Sequence, residues 1–125
     1  VSEALQRAEI KHCDFSEALK YADKDTFIYY DPPYRPISKT SAFNSYSVND
    51  FDDDEQIRLK NLFDLCDQKG AFQMESNSDP TNYIEDPFFD NLYATYKIHR
   101  VSATRIINSN AEKRGSIREL VITNY

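Results

Sequence analysis

Glycine is scarce in this chain of 125 residues: Gly70 and Gly115 are the only two, so no glycine-rich turn is encoded. Tryptophan is absent and methionine occurs once. The two cysteines, Cys13 and Cys66, stand far apart and lack metal-ligand spacing. They are expected to be buried, reduced thiols, which fits a cytoplasmic setting. His12 and His99 have no evident partners and are expected to be structural, so no metal site is expected. No apolar run approaches membrane-spanning length, and the N-terminus has no signal-peptide pattern. Charge of one sign is in short supply too: the formal net charge is -6, which at face value argues against a nucleic-acid partner.

What is present weakens that last objection. The acids cluster at Asp50, Asp52, Asp53, Asp54 and Glu55, whereas Arg100, Arg105, Lys113, Arg114 and Arg118 make the C-terminal stretch basic. Charged residues are 29% of the total and the mean hydropathy is -0.70, ordinary for a soluble protein. The length suits one domain with a real core.

The chain is organised around Thr26-Phe27-Ile28-Tyr29-Tyr30-Asp31-Pro32-Pro33-Tyr34. A short β-branched and aromatic run predicts a strand buried on both faces, in the middle of a parallel sheet. It must stop at Pro32 and Pro33, which offer no N–H to a neighbouring strand. Asp31 is thereby delivered to the carboxyl end of that strand, where open α/β sheets bind ligands.

Around this run the chain reads as α/β. Ser2–Ala8 is expected to be helical, Glu9–Cys13 a short strand, and Ser16–Tyr21 a brief helix capped by Asp14 or Ser16. With the Thr26 run these would form one βαβ unit. Arg35–Asp50 is a long polar loop, expected to be functional or mobile. Asp52–Lys69 is an amphipathic helix with Leu59, Leu62, Phe63 and Cys66 on one face, an Asp52 cap and Gly70 at its stop. The acids in its first turn are ordinary capping chemistry. Ala71–Glu75 predicts a strand ending in Ser76-Asn77-Ser78-Asp79-Pro80, and Asp86-Pro87 opens a short aromatic helix within Tyr83–Tyr93. Tyr96–Ala103 and Ser116–Thr123 are the last strands, joined by a wide polar, basic hairpin loop, Thr104–Gly115.

Asp31-Pro32-Pro33-Tyr34 is the signature tetrapeptide of amino-group DNA methyltransferases, and the chain resembles that family. The likeness extends to Asp14-Phe15, to Arg35-Pro36-Ile37-Ser38-Lys39-Thr40 with Phe43 and Tyr46, to Ser76–Asp79, and to Arg105-Ile106-Ile107-Asn108-Ser109-Asn110 through Lys113-Arg114-Gly115 to Tyr125. Together these blocks resemble the Dam-type adenine-N6 enzymes, some of which belong to restriction-modification systems. The resemblance implies a Rossmann-like sheet, S-adenosylmethionine as methyl donor, and duplex DNA as partner. It implies that Asp14, Phe15 and Asp31 contact the cofactor, and that Asp31, Pro32, Pro33 and Tyr34 do the chemistry. It also places Arg35, Ser38, Lys39, Thr40, Arg105, Asn108, Ser109, Asn110, Lys113 and Arg114 against DNA.

The chemistry suits those residue types. An exocyclic amine is a poor nucleophile until acceptors take both of its N–H groups. The Asp31 carboxylate and the Pro32 carbonyl are a preorganised pair for that task. Tyr34 offers a face for a base flipped out of the duplex. The family's glycine-rich turn and its target-recognition domain are missing from residues 1–125. The expected identity is therefore the C-terminal half of a catalytic domain, inactive alone, with parallel strands, helices and a terminal β-hairpin. Alternatives are a methyltransferase acting on cytosine N4 or an amide nitrogen, a non-catalytic DNA-binding module, and an acidic interaction domain.

Overall fold

A computed structural model of the chain describes residues 2–36, 51–104 and 116–125. The elements run in the order α1 (Ser2–Gln6), a 3-10 helix (Phe15–Tyr21), β1 (Phe27–Tyr30), α2 (Asp53–Gln68), β2 (Phe72–Ser78), a 3-10 turn (Pro80–Asn82), α3 (Phe88–Leu92), β3 (Lys97–Thr104) and β4 (Ser116–Thr123). The four strands form one mixed sheet in the order β1-β2-β4-β3. β1 and β2 are parallel, with Phe27 opposite Phe72 and Tyr30 opposite Glu75. β4 is antiparallel to both of its neighbours, closing the hairpin with β3 and lying against β2. The α/β class and the terminal hairpin agree with the sequence reading.

α2 forms where the periodicity puts it, for the anticipated local reasons. The Asp52 carboxylate accepts from the Glu55 N–H at 3.0 Å, satisfying an otherwise orphaned donor at the helix start. Gly70, just past the end, has φ of 85°, a conformation that costs other residues a Cβ clash. Leu59, Leu62, Phe63 and Cys66 are buried against the sheet. The Phe63 ring meets those of Tyr30, Tyr93 and Tyr96 at 5.8, 5.5 and 4.8 Å, and truncating such a residue costs roughly 3–5 kcal/mol.

The N-terminal third departs from expectation. Glu9–Cys13 forms no strand: among the described residues no other strand lies beside it to give it hydrogen bonds. The parallel unit is instead β1–α2–β2. α1 is shorter than predicted and buries none of its residues. Cys13 is exposed, and only Cys66 is the buried thiol anticipated for both.

β1 is also not buried on both faces. Among the described residues it is the edge of the sheet, and Phe27 and Tyr29 remain 57% and 54% exposed. Tyr30 alone is buried, on the side facing α2. An apolar run at a sheet edge has the composition of a central strand, which is why the pattern misled.

The inward face of β2 is unexpectedly polar. Gln73, Glu75 and Asn77 alternate with outward residues, as a strand's period of two requires, and all three are fully buried. Each is hydrogen-bonded: Gln73 to the Tyr30 hydroxyl and the Phe63 carbonyl, Glu75 to the Tyr93 hydroxyl, Asn77 to Gln56. Among the described residues no buried side-chain nitrogen or oxygen lacks a partner, so these groups avoid the cost of an unmade bond.

Candidate active site

Asp31 leaves the carboxyl end of β1, and the backbone ladder to β2 ends there because Pro32 and Pro33 cannot donate. Side chains of β2 take over where the backbone stops. Ser76 donates to the Asp31 carboxylate at 3.2 Å and is itself within 2.9 Å of the Tyr29 hydroxyl. The Arg35 N–H donates to the Asn77 side-chain carbonyl at 3.1 Å, and the Ser78 hydroxyl donates to the Arg35 carbonyl at 2.6 Å. From α2, Gln56 donates to the Pro33 carbonyl at 3.1 Å. A segment without backbone pairing thus remains fixed beside the strand it has left.

Tyr34 projects outward at 39% exposure, its hydroxyl donating to Glu119 at 3.2 Å. Partial burial, together with the nearby Glu119 carboxylate, raises the phenol's pKa above its ordinary value. It stays a neutral, flat ring at physiological pH.

A cavity of about 280 Å³ opens beside this segment, lined by Phe15, Tyr29, Tyr30, Asp31, Pro32, Pro33, Phe51 and Leu59. That volume lies at the lower edge of the roughly 300–1,000 Å³ usual for small-molecule sites, so it suits part of a ligand. Its walls are mainly aromatic and aliphatic, with one carboxylate. A flat heteroaromatic ring bearing a nearby positive charge fits such a lining.

Asp14 and Phe15 reach the site from the 3-10 helix. Asp14 caps that helix by accepting from the Ser16 N–H at 3.0 Å, as the sequence allowed. Phe15 is a cavity wall; Asp14 is not. Arg58 of α2, which sequence reading passed over, forks onto both Asp14 carboxylate oxygens at 2.9 and 2.8 Å. The same guanidinium lies 3.9 Å from the centre of the Phe15 ring, and Phe51 approaches that ring at 6.0 Å. Arg58 and the Ser16 amide together hold the Asp14 carboxyl well below the usual carboxylate range.

The expected DNA contacts divide. The Arg35 guanidinium is engaged within the chain: it pairs with Asp53 at 2.7 Å and Asp86 at 2.8 Å, and stacks 4.3 Å over the Phe88 ring. These carboxylates raise its pKa, and Arg35 in turn holds Asp86 low. Ser38, Lys39, Thr40, Arg105, Asn108, Ser109, Asn110, Lys113 and Arg114 lie outside the described residues. Two bases of the C-terminal basic stretch are also paired. Arg100 bonds buried Asp79 at 3.1 Å and Asp90 at 2.9 Å, and Arg118 comes within 3.6 Å of Asp79. Among the described residues no group of His, Cys, Asp and Glu forms a metal site, and no helix is long and apolar enough to cross a membrane.

Of the two α2 residues that sequence reading missed, Gln56 could have been suspected. Gln56 stands three residues before Leu59 on the apolar stripe of α2, and an amide on a buried face needs a partner. Arg58 carried no comparable signal, because its partner lies 44 residues away in sequence.

Residues 1–107 match the family model described as D12 class N6 adenine-specific DNA methyltransferase. The chain is 44% identical to the type II methyltransferase M.MjaIII of Methanocaldococcus jannaschii, with all of this chain and 42% of that protein aligned. It is 41% identical to the type II methyltransferase M1.LlaDCHI of Lactococcus lactis, again over its whole length and over 43% of the relative. A DNA adenine methylase of Haemophilus influenzae is 31% identical over 93% of this chain and 39% of its own. The chain therefore spans less than half the length of each of these relatives.

Proposed function

The chain belongs to the D12 class of N6 adenine-specific DNA methyltransferases, and from that premise we propose that it carries the amine-accepting half of their active site. One observation carries the reading: Asp31, both prolines and Phe15 line a single cavity at the end of β1. In it the Asp31 carboxylate accepts one N–H of a target adenine amine and the Pro32 carbonyl accepts the other. With both hydrogens bound, the nitrogen moves towards tetrahedral geometry and its lone pair becomes available.

S-adenosylmethionine, when bound, supplies a methyl group already activated on a sulfonium. Phe15 and Phe51 would hold its ring, and Asp31 the positive charge beside it. Asp14 serves by fixing Phe15 through Arg58. Tyr34 presents its face to the extruded base, an interaction worth about 1–3 kcal/mol. The proton displaced from nitrogen passes to solvent, so no metal or covalent nucleophile is asked of the chain. The substrate is duplex DNA, whose backbone would be met by Ser38, Lys39 and Thr40 and by Arg105, Asn108, Ser109, Asn110, Lys113 and Arg114. Arg35 serves instead to tie the end of the tetrapeptide segment to Asp53 and Asp86.

We further propose that residues 1–125 are one part of a catalytic domain and do not transfer methyl groups alone, since they contain no glycine-rich turn for the rest of the cofactor. The test is transfer of a labelled methyl group from S-adenosylmethionine to duplex DNA. Label is expected with the full-length protein and not with residues 1–125 alone. Label transfer by those residues alone would overturn the partial-site reading, and none by the full-length protein would overturn the function.

A further inference from the structure

The polar pair Gln56–Asn77 sits behind the tetrapeptide, and its orientation is forced. The Asn77 side-chain oxygen accepts from two backbone amides, Arg35 at 3.1 Å and Ser78 at 2.9 Å. Backbone N–H groups can only donate, so the amide of Asn77 cannot be turned around. Its NH₂ must then point at Gln56, donating to the side-chain oxygen at 3.0 Å, with a longer 3.4 Å contact to Glu75. That in turn fixes the Gln56 NH₂ towards the Pro33 carbonyl, 3.1 Å away. Gln56 and Asn77 are 1% and 0% exposed, so water offers neither an alternative partner.

The two proline carbonyls are thereby made unequal. Pro33 is occupied by a donor from α2, whereas among the described residues nothing donates to Pro32. We propose that Gln56, oriented by Asn77, is a positioning residue: it occupies the Pro33 carbonyl and leaves Pro32 as the acceptor for the substrate amine. This rests on the methyltransferase reading above. Gln56 touches no reacting atom; it sets the direction of the peptide plane that follows the one that does. Pro33 itself is exposed and its bond to Gln56 half-buried, so without that donor nothing among the described residues fixes the Pro33 carbonyl, which turns towards solvent and takes the Pro32 carbonyl out of line.

The test uses two variants of the full-length protein, Gln56→Leu, which matches the volume and removes the donor, and Gln56→Glu. Gln56→Leu is expected to slow single-turnover methyl transfer at saturating cofactor and DNA by about 10- to 100-fold, with cofactor affinity close to wild type. Glutamate can donate to Pro33 only when protonated, so Gln56→Glu is expected to lose rate relative to wild type as pH rises through its titration. A merely structural Gln56 would not produce that profile. A folded Gln56→Leu protein with the wild-type single-turnover rate, or a Gln56→Glu pH profile parallel to wild type, would overturn the proposal. The Pro33 carbonyl-carbon NMR shift is read in the same proteins. An upfield move in Gln56→Leu supports the clamp and an unchanged shift overturns it, even if wild type transfers no methyl group and the functional reading itself fails.

Discussion

The segment from Asp31 to Arg35 and the turn at Asp14–Phe15 border the same site but are held by different forces. The first is fastened by neutral side chains, Gln56, Asn77 and Ser78, which solvent scarcely reaches. The second is fastened by Arg58, whose side chain is 42% exposed and whose Asp14 partner is 47% exposed. Buried amide hydrogen bonds keep their strength at any ionic strength and cannot titrate. Exposed ion pairs are screened and individually weak. The acceptor side is accordingly the rigid reference, and the Asp14–Phe15 side can adapt to a ligand.

The comparison can be broken most sharply at Asp31. Asp31→Ala in the full-length protein is expected to lower the methyl-transfer rate by about 10²–10³-fold, as losing one preorganised partner of a transition state does. A loss below tenfold, read by single-turnover kinetics, would mean that the carboxylate is not an acceptor there.

A second effect concerns the floor of the rigid side. Burial pushes the Glu75 carboxyl from its ordinary 4.5 up to about 7, against the opposing pull of hydrogen bonds from Tyr93 and Asn77. Between those values the folded protein holds a proton that the unfolded chain has lost. Stability is therefore greatest below pH 4.5 for this group and declines as pH rises towards about 7, by ~3 kcal/mol in all. Denaturant midpoints measured across that window should show the decline, and Glu75→Gln should flatten it. A midpoint that rises with pH in wild type, with the same slope in the variant, would show that Glu75 is ionised in the fold.

The Asp14–Phe15 side should respond more gently. Arg58→Ala is expected to weaken S-adenosylmethionine binding by about threefold at low salt, and by less at high salt, because an exposed pair and a ring contact are lost. Calorimetric titrations at two salt concentrations check this; a large, salt-independent loss would place Arg58 in direct contact with the ligand. The smallest effect is a reagent test. Cys13 should react with a thiol label in the folded protein and Cys66 only on unfolding, since the one is exposed and the other buried.

The parts of this architecture legible in sequence were those fixed by local chemistry. Asp52, Leu59, Phe63, Cys66 and Gly70 announce α2 because a cap, a 3.6-residue period and a left-handed stop all lie within one helix. The hairpin of β3 and β4 and the polar end of β2 were likewise visible. Phe27–Tyr30 was read as a strand correctly; among the described residues it stands at the sheet edge with one face open, and its composition does not reveal how many neighbours it has. Glu9–Cys13 failed for the same reason: a strand needs a partner, and a local pattern cannot supply one. Tyr34 and Asp31 were legible as a motif. What orients them was not, since Gln56 meets Pro33 across 23 residues and Arg58 meets Asp14 across 44. The fate of Arg35 was hidden too, as its charge gave no sign that Asp53 and Asp86 would take it.

The most direct measurement is the identity of the modified nucleoside. Duplex DNA treated with the full-length protein and S-adenosylmethionine is digested and its nucleosides are separated by mass. If the Asp31 carboxylate and the Pro32 carbonyl accept a purine amine as proposed, the product is N6-methyladenosine in its deoxy form; methyl groups found on cytosine would contradict that.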